Sequence, residues 1–349
     1  MEFSAVEVGV VLAAGKGSRM LPFSATLPKA LLPVGNRPLI ERQIRLLRNL
    51  GIRKVVLVVG YLGEAIRSAL GDGAALGVQV CYVEQKRPLG IAHALSLLRG
   101  RIETPFLLFL GDIYFEAQGL DSLLQGERPR TDAAVLAVRR DSPRAVRKNF
   151  EVHLDHQGLV RKVVEKPRVV KSLFKGCGVY LFQEAIFDAI ARTRPSSLRG
   201  ELELTDAIQV LIDEGRRVSA AEVIRKDINL SFPADLLRSN LSALEEERQP
   251  NLIAADARLH ERAEVHNSVI GPGAVLEGPL RLADSLVLAG SRLKAGENLR
   301  RVIVTPDGVL SCFQKAEAQG RIATLPQSSR GGAMHPQSRV ELRALGEES

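Results

Sequence analysis

Short apolar runs, most closed by glycine and followed by a stretch with helical spacing, recur along the first two-thirds of this 349-residue chain. Val8–Ala13 runs into a glycine turn, and residues 38–50 then place Leu39, Ile40, Ile44, Leu47 and Leu50 on one helical face. Lys54–Val59 repeats the pattern and ends at Gly60. Helix is predicted for Gly63–Leu70, strand for 78–83, helix for 91–98 and strand for Phe106–Leu110. Unbroken apolar runs suit strands covered on both faces, and parallel strands need crossover helices between them. The pattern therefore predicts an α/β fold with a doubly wound, mostly parallel sheet, whose ligands bind at the carboxyl ends of the strands. Residues 133–138 and 152–154 add strands, and 184–191 and 204–212 add helices.

The pattern changes after residue 240. Residues 241–251 are charged and then broken by Pro250, which predicts a linker after a first domain of residues 1–240. Beyond it, Ile270, Leu276, Leu282 and Leu288 recur every six positions with Gly and Pro between them. A six-residue period marks a parallel β-helix, predicted for 252–312. From Gln314 the periodicity stops, so 313–349 is expected to be a flexible tail.

Charge and cysteine content narrow the function classes. There are 48 Lys and Arg against 40 Asp and Glu, a net charge of +8 that favours anionic ligands. No dense basic block occurs and aromatics make up only 4%, which argues against nucleic acid as partner. Cys81, Cys177 and Cys312 lie far apart without a CxxC, so neither a zinc ribbon nor a disulfide framework is expected, and a reducing cytoplasm fits. The apolar run at 8–14 is too short and wrongly flanked for a signal peptide, and no segment has the length of a transmembrane helix.

The chemistry concentrates in a few places. The first strand runs into Gly15-Lys16-Gly17-Ser18, where free backbone N–H groups at a sharp turn can cradle phosphate oxygens. The third glycine of a dinucleotide fingerprint is missing, which excludes a Rossmann oxidoreductase. Arg19 and Lys29 add two cations within reach of the same phosphates. Asp112 follows the apolar strand Phe106–Leu110, so it is either a Mg²⁺ ligand at the carboxyl end of the sheet or a plain turn aspartate.

The segments Ala13-Ala14-Gly15-Lys16-Gly17-Ser18-Arg19-Met20 and Pro28-Lys29-Ala30-Leu31-Leu32-Pro33-Val34 together resemble the signature of the nucleoside-diphosphate-sugar pyrophosphorylases. The likeness is to the long-form glucose-1-phosphate thymidylyltransferase and uridylyltransferase branch. It implies a Rossmann-like nucleotidyltransferase fold over about residues 8–240, followed by a short left-handed parallel β-helix. It also implies that Ala14, Gly15, Lys16 and Gly17 wrap a triphosphate, that Arg19 grips the leaving pyrophosphate, and that Lys29 lies near the α-phosphate. Gln85 and Gly90, in Gln85-Lys-Arg-Pro-Leu-Gly90, match the loop that reads a pyrimidine edge. Glu165 and Lys166, in Val163-Val-Glu-Lys-Pro167, match the motif that binds the sugar hydroxyls and the sugar phosphate. Gly178 and Thr205 fall in segments similar to the sugar pocket, although Thr205 or Asp206 could equally cap a helix. Asp112 and either Asn229 or Asp227 stand where the family holds Mg²⁺. Where relatives often carry Tyr-Gly before the sugar motif, this chain has Asn149-Phe150, and because that glycine lets the sugar approach the backbone, Phe150 leaves the identity of the sugar open.

The implied reaction joins a nucleoside triphosphate to a sugar 1-phosphate and releases pyrophosphate in the cytoplasm, with Mg²⁺, by a homo-oligomer without membrane or nucleic-acid partners. The alternatives are a non-catalytic regulatory subunit that binds sugar nucleotides, and a bifunctional enzyme whose β-helix is an acyltransferase, for which His260 and His266 lie at the start of the hexads but are more simply read as solvent-exposed.

Overall fold

The computed structural model describes residues 6–125, 131–196, 200–312 and 322–323. Its centre is a nine-stranded sheet. Four strands are parallel to one another: β1 (Val8–Ala13) lies between β4 (Lys54–Val59) and β6 (Phe106–Leu110), and β5 (Gln79–Glu84) follows β4. The hairpin β2–β3 (Pro33–Val34, Arg37–Pro38) precedes helix α1 (Leu39–Asn49). Two further helices, α2 (Gly63–Leu70) and α3 (Ile91–Ser96), make the later crossovers. Beyond β6 the sheet turns antiparallel. β11 (Phe174–Phe182) pairs with β6 and with β8 (Ala134–Arg140), and β9 (Phe150–Leu154) with β10 (Val160–Glu165). The apolar runs read as strands are buried on both faces: Leu107 and Phe109 face one core cluster, Phe106 and Leu108 the other. Close packing is enforced locally; a Cβ on Gly9 would stand 2.7 Å from the Leu47 side chain of α1.

A two-stranded ribbon stands apart from this sheet. β7 (Ile113–Ala117) starts immediately after Asp112 and pairs antiparallel with β13 (Ile224–Asn229), so Ile113 faces Asn229. β12 (Val218–Ala221) extends the main sheet by pairing with β8.

Helix is also found at α4 (Pro143–Lys148), α5 (Ala185–Arg192) and α6 (Leu204–Asp213), and last at α7 (Pro233–Glu247). The linker expected at 241–251 thus falls mostly on helix. Glu245, Glu246 and Glu247 are the solvated last turn of α7, while Leu236, Leu237, Ala243 and Leu244 are buried beneath it. Those residues pack with Val269, Leu286 and Ile303, so the helix joins the sheet domain to the segment that follows. Arg42 of α1 bridges to Glu246 and Glu247 at 2.8 and 3.0 Å.

From Asn251 the chain lays down short strands in three parallel ladders. Asn251–Ile253, Ser268–Ile270, Leu286–Val287 and Val302–Thr305 stack in one, and Arg258–Leu259, Val275–Leu276 and Arg292–Leu293 in the second. Ala263–His266, Leu280–Ala283 and Asn298–Arg300 form the third. Equivalent positions are 17 residues apart. The sixfold period therefore slips by one residue in each circuit: Ile270 and Leu276 are fully buried, but Val287 and Leu293 succeed them, and Leu288 is only half-buried. A serine ladder runs through the stack. The Ser268 N–H donates to Asn251 Oδ1, the Ser285 N–H to Ser268 Oγ, and the Val302 N–H to Ser285 Oγ. Ser285→Ala would leave the Val302 N–H buried without an acceptor, and equilibrium denaturation is expected to show a loss of about 1–3 kcal/mol.

Among the described residues no helix is long and apolar enough to cross a membrane. The tail expected at 313–349 lies almost wholly outside the described residues.

Candidate active site

The carboxyl ends of β1 and β6 meet at the glycine loop. The Gly111 N–H donates to the Leu12 carbonyl at 2.9 Å, and a Cβ on Gly111 would meet that oxygen at 2.7 Å. Only glycine permits this approach, and it sets Asp112 beside the turn that leaves β1. In that turn Ala14 is buried, Gly15 and Lys16 are exposed, and Gly17 adopts φ 65° ahead of a single 3₁₀ turn at Ser18–Met20. The Lys29 side chain lies across Gly17, where a Cβ would meet Lys29 Cγ at 2.7 Å. Its ammonium reaches Asp112 Oδ2 at 2.8 Å, with the lysine side chain 12% exposed and the aspartate 37%. The loop, Lys29 and Asp112 thus form one cluster. The other two cations are exposed and rest on aromatic rings, Lys16 over Tyr61 and Arg19 over Phe232 at 5.8 and 5.4 Å.

Asn229 adjoins Asp112. The Leu230 N–H donates to the Asp112 carbonyl at 2.9 Å, and Asn229 Oδ1 is a buried acceptor without a hydrogen-bond partner. A buried amide oxygen left unpaired is costly unless something else completes it. Asp227 is different. Arg139 Nε holds its Oδ1 at 2.5 Å, Lys175 Nζ holds its Oδ2, and its side chain is 4% exposed. The carboxylate is already spent on two cations, so between the two candidates of the sequence reading the open oxygen belongs to Asn229. Breaking this pair with Asp227→Ala leaves buried cations uncompensated and is expected to cost about 3–5 kcal/mol in denaturant titration.

Gln85 is buried at the end of β5. Its amide donates to the Gly90 carbonyl at 3.1 Å and approaches His93 Nδ1 at 2.9 Å. Gly90 has φ 109°, and a Cβ there would stand 2.4 Å from the Leu202 carbonyl oxygen. Any side chain at Gly90 thus displaces the loop that carries Leu202. With the nucleotide role that the resemblance implies for this loop, Gly90→Ala is expected to raise the KM for the nucleotide about tenfold with a smaller change in kcat, read from initial rates.

On the far side, Glu165 ends β10 and its Oε2 lies 3.5 Å from the Thr205 hydroxyl in the first turn of α6. The residue preceding α6 is Glu203, so neither Thr205 nor Asp206 is the cap. Lys166 takes φ 43°, is held by its N–H to the Asn149 carbonyl at 2.8 Å, and lies 3.5 Å from Glu165. A non-glycine residue in the left-handed region is strained, and here the strain aims an exposed cation. Gly178 sits at φ 73° within an irregularity of β11, leaving room for Ile113. Phe150 turns inward rather than into a pocket. Its ring stacks on Tyr180 and lies against Gly176, where a Cβ would meet it at 1.8 Å. Burial, with the Glu165 charge adding to it, pushes the Tyr180 phenol far up, so it stays neutral. His266 is exposed, and His260 Nδ1 accepts the Arg262 N–H.

A family model described as nucleotidyl transferase matches residues 8–228. The chain belongs to the nucleotidyl transferase family. The glucose-1-phosphate thymidylyltransferase of Streptomyces griseus is 37% identical over 289 residues, 80% of either chain. The UTP–glucose-1-phosphate uridylyltransferase AglF of Haloferax volcanii is 36% identical over 226 residues, 65% of this chain and 92% of that one. Among solved structures, a UDP-glucose pyrophosphorylase complexed with UDP-glucose superposes with a TM-score of 0.60, 22% identity, and coverage of 69% of this chain and 99% of the other. That structure shares the mixed α/β fold with its central, mostly parallel sheet. This chain is thus a nucleotidyltransferase, and the regulatory-subunit reading finds no support.

Several residues at this site escaped the sequence reading. Lys175 could have been noticed, since it is a lysine at the start of an otherwise apolar run. His93, Phe232 and Tyr61 carry no such signal.

Proposed function

We propose that this nucleotidyltransferase transfers a thymidylyl or uridylyl group from dTTP or UTP to glucose 1-phosphate, with Mg²⁺ held by Asp112 and Asn229. The observation that carries the metal assignment is the buried, unpartnered Asn229 Oδ1 on the strand whose next residue, Leu230, bonds the Asp112 carbonyl. One carboxylate and one amide oxygen suit Mg²⁺, which fills its remaining positions with phosphate oxygens and water. When bound, the ion would neutralise charge on the triphosphate. The glycine loop at Ala14–Gly17 offers N–H groups to the phosphates, with Lys16 and Arg19 beside it and Arg19 on the departing pyrophosphate. Lys29, within reach of both loop and carboxylate, meets the α-phosphate. Gln85 and Gly90 read the pyrimidine edge. Glu165, Thr205 and Gly178 border the sugar, and Lys166 pairs with its phosphate. A phosphate monoester has a second pKa of about 6, so the attacking oxygen is already ionised and no general base is needed. The three ladders after Asn251 form a short left-handed parallel β-helix, a surface for homo-oligomer contacts. The base and sugar in this reading come from the names of the relatives.

The test is pyrophosphate release with Mg²⁺ across dTTP, UTP, CTP, GTP and ATP, each with glucose, galactose, mannose and N-acetylglucosamine 1-phosphates. Release is expected with dTTP or UTP and glucose 1-phosphate. Release confined to a purine nucleotide or another sugar would overturn that assignment.

A further inference from the structure

We infer that Lys175 is a positioning residue: with Arg139 it anchors the strand bearing Asn229, and so sets how well Asn229 and Asp112 together hold a divalent cation. The inference rests on the metal reading above and concerns what keeps its two ligands in place.

The β7–β13 ribbon shares no backbone ladder with the nine-stranded sheet, yet Asp112 and Asn229 both lie at its one end. Something other than backbone pairing must fix it. On the β7 side, Gln43 Nε2 donates to the carbonyls of Leu110 and Ile113, both at 2.9 Å, and the Ile113 side chain fills the space that Gly178 leaves. On β13, the strand that carries Asn229, the anchor is ionic. Asp227, two residues before Asn229 and so on the same side of the strand, is held by Lys175 of β11 and Arg139 of β8. Asp141 completes the set, bonded to Arg139 and 3.9 Å from Lys175. Two cations and two anions balance, and the Lys175 side chain is only 2% exposed.

Burying such a cluster is a poor way to gain stability, since an apolar set of similar volume commonly does as well. What the charges add is direction. Two cations from two different strands grip both oxygens of one carboxylate, which fixes the lateral position of β13. They also keep the Asp227 carboxylate occupied, so it does not compete with the neutral Asn229 oxygen for a cation.

The experiment compares the wild-type protein with Lys175→Met/Asp227→Leu, which removes one charge of each sign, and with Asn229→Ala. Thermal melts first establish folding. Mn²⁺ alone is then titrated, with free Mn²⁺ followed by electron paramagnetic resonance, and rates are measured against Mg²⁺ concentration. The double variant is expected to melt cooperatively and to weaken Mn²⁺ binding by about 10-fold. The Mg²⁺ concentration for half-maximal rate should rise in step while kcat at saturating Mg²⁺ is kept. Wild-type Mn²⁺ affinity in the folded double variant, with Asn229→Ala weakened, would overturn the positioning role and leave the metal reading standing. Unchanged affinity in Asn229→Ala would remove the metal reading itself. Should the double variant not fold, the near-isosteric Asp227→Asn decides by the same two readouts.

Discussion

Asp112→Asn is expected to lower kcat by about two to three orders of magnitude while leaving the protein folded. The carboxylate is 37% exposed, so its charge contributes little to stability, and the isosteric amide keeps the shape of the turn at Gly111. Its loss removes the negative charge that Lys29 holds beside the glycine loop. Two polyanions must approach one another in this reaction, and charge control there is the main thing the protein can supply. Initial rates over a range of Mg²⁺ concentration check the effect. The loss should be partly recovered at high Mg²⁺, because the amide still presents an oxygen. Near-normal turnover at ordinary Mg²⁺ would remove Asp112 from the site.

Lys29→Met is expected to lower kcat/KM for the nucleoside triphosphate by a similar factor, about 10²–10³, by a different route. The lysine stem is packed over Gly17, so its ammonium is delivered to one place, between loop and carboxylate. Methionine keeps the stem and removes the charge. Asp112 is then released from its 2.8 Å partner, so binding of the divalent ion alone should not weaken. Steady-state kinetics and an ion titration together separate this variant from Asp112→Asn, which weakens both. Lys29→Arg should not restore activity, because a planar guanidinium does not fit where the chain already touches the Gly17 backbone.

The sheet was legible because its strands are buried on both faces. An unbroken run such as Phe106–Leu110 carries its own assignment, and the glycine after it marks the carboxyl end where Asp112 stands. The glycine loop and Lys29 could be read together because they are close in sequence. The ion cluster could not, since Arg139, Lys175 and Asp227 come from three strands, and only the topology brings them to one point. Where Phe150 packs was hidden for a related reason. Its partner is Gly176 on the neighbouring strand, whose missing side chain lets the ring turn into the core. The linker expected at 241–251 is mostly the end of a helix instead. Glutamates and a nearby proline signal a break, but the helix they end has its apolar face covered by the ladders beyond it. The six-residue period located those ladders and mislaid Leu288, because one circuit takes 17 residues and not three full hexads.

The most direct test of the mechanism is the stereochemical course at the α-phosphorus. The enzyme would be given dTTP made chiral there by sulfur substitution, together with glucose 1-phosphate, and the configuration of the nucleotide sugar determined by phosphorus NMR. Direct attack by an already ionised sugar phosphate is one in-line displacement, so inversion is expected. Retention would mean two displacements through a nucleotidylated side chain and would contradict a site that works by position and charge alone.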